Sequence, residues 1–271
     1  MRCKLLTLTA VMLSVSGAHL ASAADMEIKT PVLPVPVAAY NWGGLYVGGN
    51  IGYGWGAASD PGLSFVDPAP GVGFAGYFAA GGNVTPNLNP SGLIGGGQIG
   101  FNWTLSPSWV AGLVTDFQGS GIKDSATNTV TPPAFVPPTT SLQSNSEQID
   151  WFGTLRAKLG FAQNNWLLYG TGGLAYGRVA TSGCICFGAP VGVPLNFTGS
   201  SSTTNVGWAV GAGLNYGLTS NWIVGVEYLY VDLGNVSYVE TTTNPGALAS
   251  SLTINNRAAV QIARVSLDYK F

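Results

Sequence analysis

Charge is what this sequence has least of: only 8% of its 271 residues are Asp, Glu, Lys or Arg. It has one histidine, His19, and three cysteines. Beyond the amino-terminal region no continuous apolar run approaches the roughly 20 residues that a membrane-spanning helix requires. Each shortage excludes something. The amino terminus pairs Arg2 and Lys4 with an apolar run from Leu5 to Val15, then small residues Ala21-Ser22-Ala23 before Ala24-Asp25, the pattern of a cleaved export signal over residues 1–23. Cleavage removes His19, so the mature chain has no imidazole for a serine triad, a His general base, or His-ligated zinc or haem. It also removes two basic residues, leaving eight against twelve acidic ones, a formal net charge of −4. That is no nucleic-acid footprint. The reading is therefore not an enzyme, with no catalytic residue, cofactor or metal site expected.

What the chain does have is alternation. From Ala259 to Phe271, the residues Ala259, Gln261, Ala263, Val265, Leu267, Tyr269 and Phe271 share one face, and Val260, Ile262, Arg264, Ser266, Asp268 and Lys270 share the other. The same period recurs in Gly43–Gly56, Gly92–Trp103, Trp109–Gln118, Glu147–Phe161, Trp166–Ala180, Asn205–Gly217 and Trp222–Asp232. An apolar exported chain without helix-length runs points to strands, because a bilayer admits only helices and closed barrels.

Connections alternate between long and short. Long ones rich in Gly, Ser, Thr and Pro cover about 57–91, 119–146, 181–204 and 233–256, while Thr104–Ser108, Ala162–Asn165 and Leu218–Asn221 are brief. Short periplasmic turns and long outer loops are the habit of outer-membrane barrels. The predicted fold is all-β: an eight-stranded antiparallel up-and-down transmembrane β-barrel with four long extracellular loops, in the outer membrane of a Gram-negative cell, both termini periplasmic. Residues 24–41, with Pro31, Pro34 and Pro36, read as a Pro-rich periplasmic leader, and 42–271 as the barrel.

Aromatic placement supports this. Trp103, Trp109, Phe161, Trp166, Tyr216 and Trp222 bracket the short turns, joined by Trp42, Tyr269 and Phe271 as an inner belt. Tyr53, Trp55, Phe117, Trp151, Trp208, Tyr228 and Tyr230 supply an outer one, and Tyr269 with Phe271 reads as an assembly signal. Inside the barrel the alternation assigns Asp116, Asp150, Arg156, Lys158, Glu227, Arg264, Asp268 and Lys270, four acidic and four basic. With eight strands the lumen is about as wide as side chains can fill, so these read as a self-satisfied plug among space-making glycines. Gly95-x-Gly97-x-x-Gly100 lies within a strand with no helix behind it, so it is no dinucleotide site. Cys184 and Cys186 form a C-x-C in a loop, either a small disulfide ring or an incidental pair.

Three stretches carry a family resemblance: Tyr40 to Gly56 (YNWGGLYVGGNIGYGWG), Leu168 to Gly177 (LYGTGGLAYG) and Gly225 to Gly234 (GVEYLYVDLG). They resemble the outer-membrane immunogenic protein family of alphaproteobacteria, also called RopB-like porins, over essentially the whole mature chain. The resemblance implies an abundant surface barrel with roles in envelope integrity and host interaction and, in some members, haemin binding. It supplies no catalytic residues. The C-x-C pair departs from the family pattern, and the missing histidine argues against haemin here. The first functional expectation is a non-enzymatic surface barrel presenting its loops. Alternatives are a small-solute porin, which the strand count disfavours, or a receptor for haemin or another ligand using Phe65, Phe74, Tyr77, Phe78 and Phe187. The expected partners are outer-membrane lipid and lipopolysaccharide, the barrel-assembly machinery during insertion, and host or surface ligands.

Overall fold

The computed structural model describes residues 40–56, 62–66, 87–131, 140–187, 196–242 and 251–271. The expected export signal, most of the leader, and Phe74, Tyr77 and Phe78 lie outside them. The strands are β1 (Gly44–Gly56), β2 (Gly62–Val66), β3 (Ser91–Ser106), β4 (Trp109–Val130), β5 (Ser141–Gln163), β6 (Trp166–Phe187), β7 (Asn196–Gly217), β8 (Trp222–Thr242) and β9 (Ser251–Lys270). Every pairing is antiparallel, each long strand pairs with the next long strand in the chain, and β1 closes on β9, so eight long strands form a ring. The short β2 pairs with the upper half of β9. Closure leaves no unpaired edge where the wall meets lipid.

Three tight turns mark one end. At the second, Asn164 takes a left-handed conformation (φ 52°), which Asn tolerates better than most residues. Asn165 then bridges to the third turn, its amide donating to the Gly217 carbonyl at 2.9 Å. Asn221 likewise caps the end of β9, donating to the Lys270 carbonyl at 2.9 Å. The last backbone amide, of Phe271, donates to the Leu45 carbonyl at 3.0 Å and locks the chain's end onto β1.

At the other end the structure corrects the expected loops. Much of the Gly, Ser and Thr-rich sequence read as connection is paired strand: Ser125 pairs with Ser146, and Ser182 with both Ser146 and Ser200. β5, with 23 residues, is about 75 Å long at ~3.3 Å per residue. At a tilt of about 45° it rises roughly 50 Å, twice the ~25 Å apolar band of such a barrel. The barrel therefore continues as a paired extension above its lipid-facing zone. Hydropathy hid it because, beyond lipid, the outer face needs no apolar residues, while Thr favours strands and Ser can hydrogen-bond with it across them.

Bulges mark the transition. Register shifts occur between Gly119 and Ile122, Ile149 and Trp151, and Asp232 and Asn235. On β5 and β8 the shift reverses which side chains face inward, while β4 keeps its even-numbered residues inside throughout. Below them the outer face is Leu, Val and aromatics, with rings touching around the turns at Trp109–Phe161, Trp166–Tyr216 and Trp222–Tyr269, and above at Phe117–Trp151 and Trp208–Tyr230. Trp42 departs from the expected inner belt: it is buried in the lumen mouth with Val110, Leu167 and Ile223. The reason is local, since Gly44, the first residue of β1, has φ 126° and redirects the chain where the strand begins.

The interior is layered from the turn end outward. An apolar cluster around Trp42 and Tyr169 comes first, then a charged layer. A larger apolar cluster of Ile94, Ile122, Phe152, Leu229 and Ile262 follows. A polar layer lies next, in the extension, and Ile185, Phe187, Phe197 and Leu252 cover it.

Candidate functional site

The charged layer draws on four strands. Arg156 of β5 is 1% exposed, and its guanidinium donates to Asp116 Oδ2 of β4 and Glu227 Oε1 of β8, each at 2.8 Å. Its Nε donates to Thr154 at 2.8 Å. Arg264 of β9 repeats the pattern from the opposite wall, donating to Glu227 Oε2 through Nε at 2.8 Å and to Asp116 Oδ2 at 2.9 Å. Two guanidiniums and two carboxylates thus form a closed, neutral square. That neutrality is what makes the burial tolerable, because an unmatched charge in this environment costs several kcal/mol.

Lys158 lies below the square, its ammonium 4.4 Å from the Tyr169 ring centre and 5.0 Å from that of Tyr46. Tyr169 donates to Glu227 at 3.2 Å, linking the ring to the square. The two rings fit because glycines face them: a methyl at Gly100 would overlap the Tyr46 ring, and one at Gly213 the Tyr169 ring. Asp268 accepts from Gln98 at 2.6 Å and from Ser266 at 3.2 Å. The free space among Tyr46, Gln98, Arg156, Lys158, Glu227 and Arg264 is about 10 Å³, no more than one water needs.

Of the charges assigned inward from sequence, Asp116, Arg156, Lys158, Glu227, Arg264 and Asp268 meet in this layer. Lys270 sits lower, at the mouth, over the Tyr40 ring at 4.8 Å and against the Asn41 carbonyl. Asp150 is a correction. The bulge between Ile149 and Trp151 turns it outward, where it accepts from Gln148 at 2.7 Å and pairs with Arg178 at 3.4 Å. Phe187 is also corrected: it is buried against Phe197 rather than offered on a loop. Tyr269 and Phe271 lie outward near the turn end, in edge contact at 5.2 Å. Cys184 and Cys186 are joined as a disulfide on β6. Sequence reasoning overlooked Glu147 and Glu240, both buried in the upper polar layer. Their strand parity gave no warning, because the bulges reverse it.

An apolar outer wall, a closed antiparallel ring and an ion-paired lumen together define an outer-membrane β-barrel. The chain belongs to the outer membrane protein beta-barrel domain family, whose model matches residues 8–271. It is 34% identical over 255 residues to the 31 kDa outer-membrane immunogenic protein of Brucella melitensis, covering 93% of each. With the 25 kDa outer-membrane immunogenic protein of Brucella abortus it shares 27% over 256 residues, 93% of this chain and 91% of that one. It is thus an alphaproteobacterial-type outer-membrane immunogenic protein family member, a group of the Gram-negative outer membrane. Similar solved structures include Ail of Yersinia pestis (13% identity, TM-score 0.35, 83% of this chain and 99% of that one). OprG of Pseudomonas aeruginosa is another (9%, TM-score 0.39, 86% and 99%). At these scores neither bears on function.

Proposed function

We propose that this protein is a non-enzymatic, closed-lumen surface barrel that contributes to envelope integrity and presents its outer extension and loops to the surroundings. The observation that carries this reading is the Asp116–Arg156–Glu227–Arg264 square with about 10 Å³ of free space around it. Conduction requires a continuous wet path, and paired side chains with apolar clusters on both sides interrupt it. That the Brucella relatives are named immunogenic outer-membrane proteins supports surface presentation. In this reading the tight turns and both termini are periplasmic, the extension is extracellular, and Tyr269 with Phe271 forms the signal read by the assembly machinery.

Planar-bilayer recording tests the closed lumen. The wild-type protein is expected to give little or only intermittent conductance, with Arg156→Ala raising it. Steady large wild-type currents, unchanged by that substitution, would replace the structural reading with a porin.

A further inference from the structure

Above the outer aromatic belt the lumen contains a layer of oxygen atoms that no cation among the described residues faces. Glu147 of β5 and Glu240 of β8 point into it, 6% and 0% exposed. Both lie beyond the bulges that end the lipid-facing zone. The cations at this level are turned outward: Arg178 is on Asp150 and Arg257 on Asp232, and Lys123 is exposed. A third acid, Asp124 of β4, stands opposite Glu147 and accepts the backbone amides of Asn89 and Ser125, each at 2.8 Å. No inward charge from β6, β7 or β9 balances them: the facing residues there include Gly183, Thr181, Gly199 and Asn256.

The polar atoms are left waiting for a donor or an ion. Both carboxylate oxygens of Glu240 and Oγ1 of Thr181 have no hydrogen-bond partner. Thr181 is 3% exposed and sits opposite Glu147 in register. Tyr238 is close to Glu240 but donates its proton to Asn145 Oδ1 at 3.0 Å, so the carboxylate gains no well-formed bond from it. Gly183 creates the gathering point, because a methyl there would overlap Glu240 Oε1, Tyr238 Oη and Asn145 Oδ1 together. Apolar clusters close the layer below and above. Buried carboxylates in such a place must either lose their charge or gain a counter-ion.

We propose that this layer is a binding site for a hard divalent cation of calcium's size, held by Glu147 and Glu240 with Asn145, Tyr238 and Thr181 as neutral oxygen donors. The chemistry selects the ion class. Calcium accepts a flexible shell of roughly 6–8 oxygens that mixes carboxylate with neutral donors, whereas magnesium demands a tight octahedron and keeps its waters. Softer metals want His or Cys, and none of these five residues is either; among the described residues no three His, Cys, Asp or Glu side chains gather, so the neutral oxygens must complete the shell.

The test is equilibrium dialysis of calcium against mature protein refolded in detergent without lipopolysaccharide, so that lipid phosphates supply no sites. Wild type is expected to bind one calcium saturably, and equimolar magnesium should not displace it. Glu147→Gln and Glu240→Gln should each weaken binding roughly tenfold or more, while Asp150→Asn, on the outer surface, should leave it unchanged. The gel shift between unboiled and boiled samples shows that each variant is folded. Absence of saturable binding by folded wild type, or wild-type affinity in a folded Glu240→Gln variant, would overturn the proposal. Should the Gln variants fail to fold, Thr181→Val, which removes a buried neutral donor, decides, and wild-type affinity in that folded variant would equally overturn it.

Discussion

Arg156 is the residue on which the interior most depends, since it is 1% exposed and reaches both acids of the square. Removing one partner of a buried ion pair leaves an uncompensated charge and costs about 3–5 kcal/mol. Arg156→Ala and Glu227→Ala are each expected to lower stability by that amount in urea unfolding from lipid vesicles, the double variant costing less than the sum. Asp150→Asn is the counterpart, and its effect should stay within ~0.5 kcal/mol, as for an exposed pair. A large loss from Asp150→Asn would return that residue to the lumen. The contrast shows where sequence reading stops. Asp150 shares even parity with Thr154, Arg156 and Lys158, so alternation alone assigns it inward. One extra residue at the bulge reverses the phase, turning Asp150 out and Glu147 in. Nothing local in the sequence announces that residue, because a bulge is a mismatch between two strands, not a property of one.

At the scale of the strand, the membrane zone was legible and the extension was not. Lipid forces an apolar outer face, so Leu155, Leu159 and Phe161 announce β5 through its lower half. Above the belt water meets the wall, and Gln143, Ser144 and Asn145 read as loop although each is paired on both sides. A cysteine at the exposed Ser200, in the extended part of β7, is therefore expected to react with a membrane-impermeant maleimide on intact cells. One at Asn164, in the tight turn between β5 and β6, should not. Since Cys184 and Cys186 are joined, the introduced thiol is the one that reacts. The reverse labelling pattern would invert the proposed orientation.

The whole molecule is held by closure. β1 pairs with β9 from Tyr46–Lys270 to Gly56–Val260, and β9 pairs with β8 along its other side. A barrel in which every backbone group is paired internally resists detergent, so unboiled protein should migrate differently from boiled protein. Phe271 is 69% exposed at the chain's end while its amide holds Leu45. Phe271→Asp should reduce both the surface amount and the unboiled form, because a charge would replace an aromatic at the interface. Normal amounts of heat-modifiable Asp variant would remove the reading of Tyr269 and Phe271 as an assembly signal.

The amino-acid sequence by itself determined the class of protein, since period-two alternation, sparse charge, paired aromatics and alternating connection lengths are each demanded by a bilayer. It also placed Asp116, Arg156, Lys158, Glu227, Arg264 and Asp268 on inward faces. Only the tertiary structure decided which of those charges meet, because the partners are up to 148 positions apart in the chain and no spacing rule links them. It alone buried Trp42 in the mouth, turned Asp150 to the outside and brought Glu147 and Glu240 into one layer. Those outcomes follow from register between strands, set by bulges and closure around the ring, and register belongs to the assembled sheet.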